Sequence, residues 1–220
     1  MTAVEEAPEN GAEHFGDAWQ GLTRFADMIV REGEKRGLVG PRELERLWSR
    51  HILNSTAVLD YIPQGASVAD VGSGAGFPGL VVAICRPDSR VTLIDSMERR
   101  CEWLVDAVAE LELANVTVKL GRAEEFVGHF SADVVTSRAV AALKKLLPWT
   151  MPLVKPNGSM VALKGIKIDD EIDAAVAQLR AYRAEYADVH VVTPFGCEEE
   201  TRVLVVGKKG RGGRESRGRM

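Results

Sequence analysis

Cysteine is scarce in this chain. Cys85, Cys101 and Cys197 lie far apart, and no C-x-x-C pair occurs. That excludes a disulfide framework, argues against a zinc site, and suits a reducing cytoplasmic setting; no metal is expected. No run of 18 apolar residues is present, which excludes a membrane-spanning helix and leaves no expected membrane partner. The opening MTAVEEAPENGAEHFGD has neither a basic nor an apolar stretch, so no secretory signal is expected there. Internal repeats and interdomain linkers are also missing. The 220 residues are 45% hydrophobic and 27% charged, the make-up of one globular domain with a real core.

Charge is unevenly spread. From Gly207 to Met220, six bases face one acid, Glu215. This end therefore carries +5, leaving −9 of the net −4 to the rest of the chain. A Gly/Arg-rich segment buries too little to join a core. It is either a solvated end or an arm adding sequence-independent affinity for nucleic-acid phosphates. Residues 1–12 are expected to be disordered, residues 13–207 to form one domain, and 208–220 to be a basic tail.

Apolar residues from Phe15 to Val30 recur at helical steps, and a second helical stripe runs from Leu44 to Ile62 with His51 on it. These make an N-terminal cap over residues 13–63. Across 66–207 strand and helix patterns alternate, with strands at 67–71, 90–95, 116–120, 133–137 and 159–163, a helix near 169–183, and last strands at 189–193 and 202–206. The expectation is an α/β, Rossmann-like, mostly parallel seven-stranded sheet with a C-terminal antiparallel hairpin.

Ligands of such sheets bind outside the carboxyl ends of the strands. The first end carries Asp70-Val71-Gly72-Ser73-Gly74-Ala75-Gly76, followed by Phe77-Pro78-Gly79. A dinucleotide needs the helix start free for its pyrophosphate. S-adenosylmethionine is cationic and lacks phosphate, so Asp70 favours a methyl donor over NAD. The second end gives Asp95, at the spacing where an acid holds ribose hydroxyls. The third gives Gly121-Arg122-Ala123-Glu124, able to read an adenine edge; the fourth Ser137-Arg138-Ala139; the fifth Lys164-Gly165. Plainer readings stand beside these. Glu124 could merely favour a helix start, Arg138 could pair with an acid, and Arg99 and Arg100 could be a solvated face. His51 is either a hydrogen-bonded core histidine or a wall of the substrate pocket.

DVGSGAGFPG, TLIDS with its following basic pair, GRAEEF, SRAV and LKG together resemble the RsmG (GidB) family over roughly residues 15–207. RHILNS resembles the family's N-terminal helix motif, with Asn54 where an aspartate is usual. The resemblance implies a class I methyltransferase that uses S-adenosylmethionine. Its target would be N7 of a guanine in the 530 loop of 16S ribosomal RNA (guanine 527 or its equivalent), in the small subunit or an assembly intermediate. Asp70, Gly72, Gly74 and Phe77 would then line the cofactor pocket. Asp95 would hold the ribose, Ala123 and Glu124 would flank the adenine, and Arg138 would reach the cofactor or the target base. His51, Arg99, Arg100, Arg138 and Lys164 would face the RNA. A monomer is expected. Guanine N7 has an in-plane lone pair and no proton, so no general base is assigned. No Asn-Pro-Pro-aromatic motif and no Pro-Cys nucleophile occurs to suggest another target. The alternative is a methyltransferase acting on a small molecule.

Overall fold

The computed structural model describes residues 3–210. The chain begins with α1 (Gly11–Phe15) and α2 (Ala18–Glu32), then a 3-10 turn at Pro41–Arg46, a π-helical stretch at Leu47–Leu53 and α3 (Asn54–Thr56). The core follows as β1 (Ser67–Val71), α4 (Gly79–Cys85), β2 (Arg90–Asp95), α5 (Glu98–Glu110), β3 (Val116–Leu120) and β4 (Ala132–Arg138). It continues through α6 (Leu143–Thr150), β5 (Val154–Lys164), α7 (Ile168–Ala174), α8 (Val176–Ala181), β6 (Ala184–Val192) and β7 (Thr201–Lys208). The seven strands lie in the order β3-β2-β1-β4-β5-β7-β6. β1 to β5 are parallel; β7 runs antiparallel to both β5 and β6. The expected mixed sheet with its terminal hairpin is what the chain forms.

The central strands read as unbroken apolar runs because both faces are covered. Val68, Leu93, Val134, Val161 and Val203 join the core cluster of α2, the π stretch, α4 and α5. Their neighbours Ala69, Ile94, Val135, Ala162 and Leu204 join the cluster of α6 and its following helices. Period-two alternation thus feeds two separate cores. Trp103 of α5 is fully buried, and its Nε1–H donates to Ala75 O at 3.0 Å, tying the glycine loop to the helix behind it. Trp103→Ala is expected to cost about 3–5 kcal/mol of unfolding free energy, measured by urea titration; a loss below about 1 kcal/mol would contradict this packing.

Three expectations need correction. The stripe at 44–62 is not one helix. Leu47, Trp48, His51, Ile52 and Leu53 are all buried, a stripe too wide for one α-helical face, and the π turn accommodates it. The helix near 169–183 breaks at Ala175 (φ −107°, ψ 5°) into α7 and α8. Residues 3–12, expected to be disordered, run along the cap. Glu5 N–H donates to Leu44 O at 3.0 Å, and its carboxylate accepts Ser49 N–H at 2.9 Å. The basic tail beyond Gly210 lies outside the described residues.

Candidate active site

The carboxyl ends of β1, β2 and β4 surround a cavity of about 570 Å³. Its floor is the loop after β1. Gly72 has φ +74°, and a Cβ there would sit 2.6 Å from a Val140 methyl. Only glycine satisfies both demands. Gly79 is needed for another reason: a Cβ would meet Leu93 at 2.3 Å and the Asp70 carboxylate at 2.6 Å. Without it, α4 settles onto Asp70, and Gly79 N–H donates to Asp70 Oδ2 at 3.1 Å.

Asp70 therefore sits beneath the loop rather than in the cavity wall. It is fully buried and its Oδ1 has no hydrogen-bond partner. Burial pushes its carboxyl up to about 7. Its effect on ligand choice is thus different from the expected one: the α4 start is already given to a carboxyl group, so that N–H is not offered to a phosphate.

Asp95, at the end of β2, is 3% exposed. Its Oδ2 accepts Gly74 N–H and its Oδ1 accepts Met97 N–H, each at 2.9 Å, while Arg100 Nη1 lies 3.6 Å from Oδ2. Both oxygens keep lone pairs. Ala123 and Glu124 open a short 3-10 turn after β3, the first buried and the second exposed, and both line the cavity.

The β4 end builds the opposite wall. The Arg138 guanidinium lies 4.9 Å from the Phe77 ring centroid. Its Nη1 donates to Arg50 O at 2.8 Å and its Nη2 to His51 Nδ1 at 2.7 Å. A guanidinium has only donors, so His51 Nδ1 accepts and the proton resides on Nε2. Nε2 in turn lies 2.7 Å from Glu43 Oε2. Burial, then the Arg138 charge, pushes His51 down to about 4 against the pull of Glu43. Burial also lowers Arg138 to about 10. His51 is consequently buried and hydrogen-bonded, and it also lines the cavity.

The two shifted groups give opposite pH dependences. The fold retains an Asp70 proton that the unfolded chain releases, so that contribution falls as pH rises from 3.8 toward about 7. The unfolded chain protonates His51 below 6.5 while the fold refuses the proton until about 4, so that contribution falls as pH drops through this window. Asp70→Asn is expected to unmask the second slope. Its melting temperature should fall more steeply than wild type on acidification across that window, and parallel profiles would contradict the two assignments.

Of the residues singled out in the sequence, Gly72, Gly74, Phe77, Asp95, Arg100, Ala123, Glu124, Arg138 and His51 meet around one cavity. Lys164 does not. It lies 2.6 Å from Glu171, donates to Ala141 O at 3.0 Å, and is spent on joining β5 to α7. Arg99 is exposed and outside the cavity wall. Leu38, Val39, Val140 and Trp149 line the cavity without having been expected to; they come from loops and a helix flank, which carry no strand-end signal.

The family described as GidB, rRNA small subunit methyltransferase G, matches residues 18–200. The chain is similar to a ribosomal RNA small subunit methyltransferase G of Beutenbergia cavernae, 47% identical over 192 residues that cover 87% of this chain and 91% of that one. It is similar to the protein of the same name from Streptomyces coelicolor, 44% identical over 83% of this chain and 77% of that one. Among solved structures, the B. subtilis tRNA methyltransferase TrmK superposes with a TM-score of 0.55 at 16% identity, covering 71% of this chain and 66% of that one. A ribosomal protein L11 methylase from Lactobacillus delbrueckii subsp. bulgaricus gives 0.53 at 13% identity, covering 71% and 77%. These two likenesses concern the fold. The family match and the relatives' extent lead to one conclusion: the chain belongs to the rRNA small subunit methyltransferase G (GidB) family.

Proposed function

We propose that the chain transfers the methyl group of S-adenosylmethionine to N7 of a guanine in the 530 loop of 16S rRNA, guanine 527 or its equivalent, on the small subunit or an assembly intermediate. The supporting observation is the strand-end cavity itself, in which the glycine loop, Asp95 and the Ala123-Glu124 turn enclose nucleoside-sized space. The relatives' names carry the ribosomal substrate.

When bound, S-adenosylmethionine supplies an electrophilic methyl on a sulfonium. The residues around it have separable tasks. Asp95 has lone pairs left for two ribose hydroxyls after taking its two backbone N–H groups. Gly72 and Gly74 let main chain approach a ligand closely, and Phe77 gives an apolar wall. Ala123 and Glu124 flank the adenine. Arg138 and His51 form the side from which the base arrives.

None of these groups removes a proton. His51 has its Nδ1 lone pair occupied by Arg138 and its Nε2–H on Glu43, which suits a nucleophile that needs no base. The protein's contribution is then alignment, worth on the order of 7–11 kcal/mol in favourable cases. Arg99 is exposed and available to a phosphate, whereas Lys164 is not.

Incubation with tritiated methyl donor and hypomethylated small subunits, followed by nucleoside analysis, tests the reading. Label is expected in 7-methylguanosine. Label in another nucleoside, or only in a small molecule, overturns it.

A further inference from the structure

A second hollow, of about 760 Å³, adjoins the first and shares His51, Arg138 and Ala139 with it. Apart from Arg138, its Arg and Lys side chains are already matched. Arg46 Nη2 lies 2.9 Å from Glu199, Arg50 Nε 3.6 Å from Glu43, and Lys164 2.6 Å from Glu171. Glu198 and Glu200 also line it, and neither has an ion pair among the described residues. The surplus charge on the far wall is negative. Such a wall repels phosphate and attracts N–H donors or a cation.

Methyl transfer to a purine nitrogen generates that cation. As the carbon–sulfur bond breaks, its electron pair stays on sulfur. The N7 lone pair makes the new bond, the positive charge passes to the base, and no proton moves. Guanine also has the right edges. N7 and O6 lie on one edge, while N1–H and N2–H₂ donate from the other side. Arg138 stands where the two hollows meet, with two of its five N–H groups used.

We propose that the second hollow receives the target guanine, that Arg138 donates to its O6, and that His51 and Glu43 are positioning residues holding the guanidinium there. This rests on the methyl-transfer reading above. Donation to O6 leaves N7 free and orients it toward the shared wall. Adenine would turn an amino donor toward Arg138 instead. The far wall then faces N1–H and N2–H₂, whose acidity rises once N7 is alkylated, so the hollow favours the charge distribution of the transition state over that of the substrate. Glu43 fixes the His51 proton on Nε2. Without Glu43 the ring is free to carry it on Nδ1, where it opposes the Arg138 N–H.

Two variants test this on hypomethylated small subunits, with donor affinity followed by calorimetry with S-adenosylhomocysteine. Gly165 lines the second hollow but not the first, and nothing lies within 4 Å of where its Cβ would be. Gly165→Trp gains its Cβ without a clash and places an indole at the second hollow; it should reduce methyl transfer at least a hundredfold with the dissociation constant for S-adenosylhomocysteine unchanged within twofold. Glu43→Ala should lower kcat by about 10²-fold, the effect of a small misplacement, again without a change in that affinity. Glu43→Gln keeps an acceptor for Nε2–H and should restore kcat to within threefold of wild type. If Gly165→Trp or Glu43→Ala labels subunits at the wild-type rate, the inference fails while the methyltransferase reading stands. If wild-type protein labels no subunits, that reading has failed and this one with it.

Discussion

Arg138→Met should lower kcat for methyl transfer by roughly 10²–10³-fold, the scale seen when one preorganised donor at a reacting group is removed. Methionine approximates the length of the side chain and keeps an apolar contact with Phe77, so the wall survives while its donors vanish. His51 Nδ1 and Arg50 O, both now served by the guanidinium, lose their partner. For His51, the buried one of the two, that adds a stability loss of about 1–3 kcal/mol. Measurement of kcat, KM and melting temperature on one preparation separates the two effects. Arg138→Lys is not conservative here, because one ammonium does not span both acceptors in the guanidinium's fork geometry. A kcat within threefold of wild type for Arg138→Met would remove Arg138 from the reaction.

Asp95→Ala is expected to weaken S-adenosylhomocysteine binding on the order of 10²-fold, since hydrogen bonds to charged groups contribute about 1.5–3 kcal/mol each. Asparagine is not a mild alternative. Both Asp95 oxygens accept backbone N–H groups, from Gly74 and Met97, so an amide must turn its NH₂ toward one of these donors. Asp95→Asn should therefore bind hardly better than Asp95→Ala. Both should also melt below wild type, because the carboxylate holds the glycine loop as well as any ligand. Calorimetry that found unchanged affinity in either variant would refute the ribose assignment.

The strand ends were legible in the sequence because a parallel strand buried on both faces is a short apolar run that stops at a polar or glycine residue. β1, β2 and β3 begin and end where that pattern places them. β5 begins at Val154 rather than Ser159, because Pro156-Asn157-Gly158 has the composition of a turn yet continues the strand past a register shift opposite β4. β6 begins at Ala184, earlier than its apolar residues suggest, because it is an edge strand with much of its length exposed. At the site, Asp95, Arg138 and His51 were visible as residue types in suggestive places. Glu43 was not, since its link to His51 depends on a π turn that no periodicity announces. The partner of Lys164 was hidden for a related reason: Glu171, which pairs with it, comes from the next helix. The second hollow is made by the cap, β4, β5 and the β6–β7 loop together, and no local pattern encodes such a junction.

The direction of β7 decides where the described chain ends. Gly207 pairs with Ser159 and Arg202 with Lys164, so the last strand leads away from the catalytic edge by about 17 Å over this span. Arg183 then fastens the departing main chain, its carbonyl accepting Lys209 N–H at 3.0 Å and its Nη2 donating to Gly210 O at 2.9 Å. The described chain therefore ends, at Gly210, on the side of the sheet opposite the cavity.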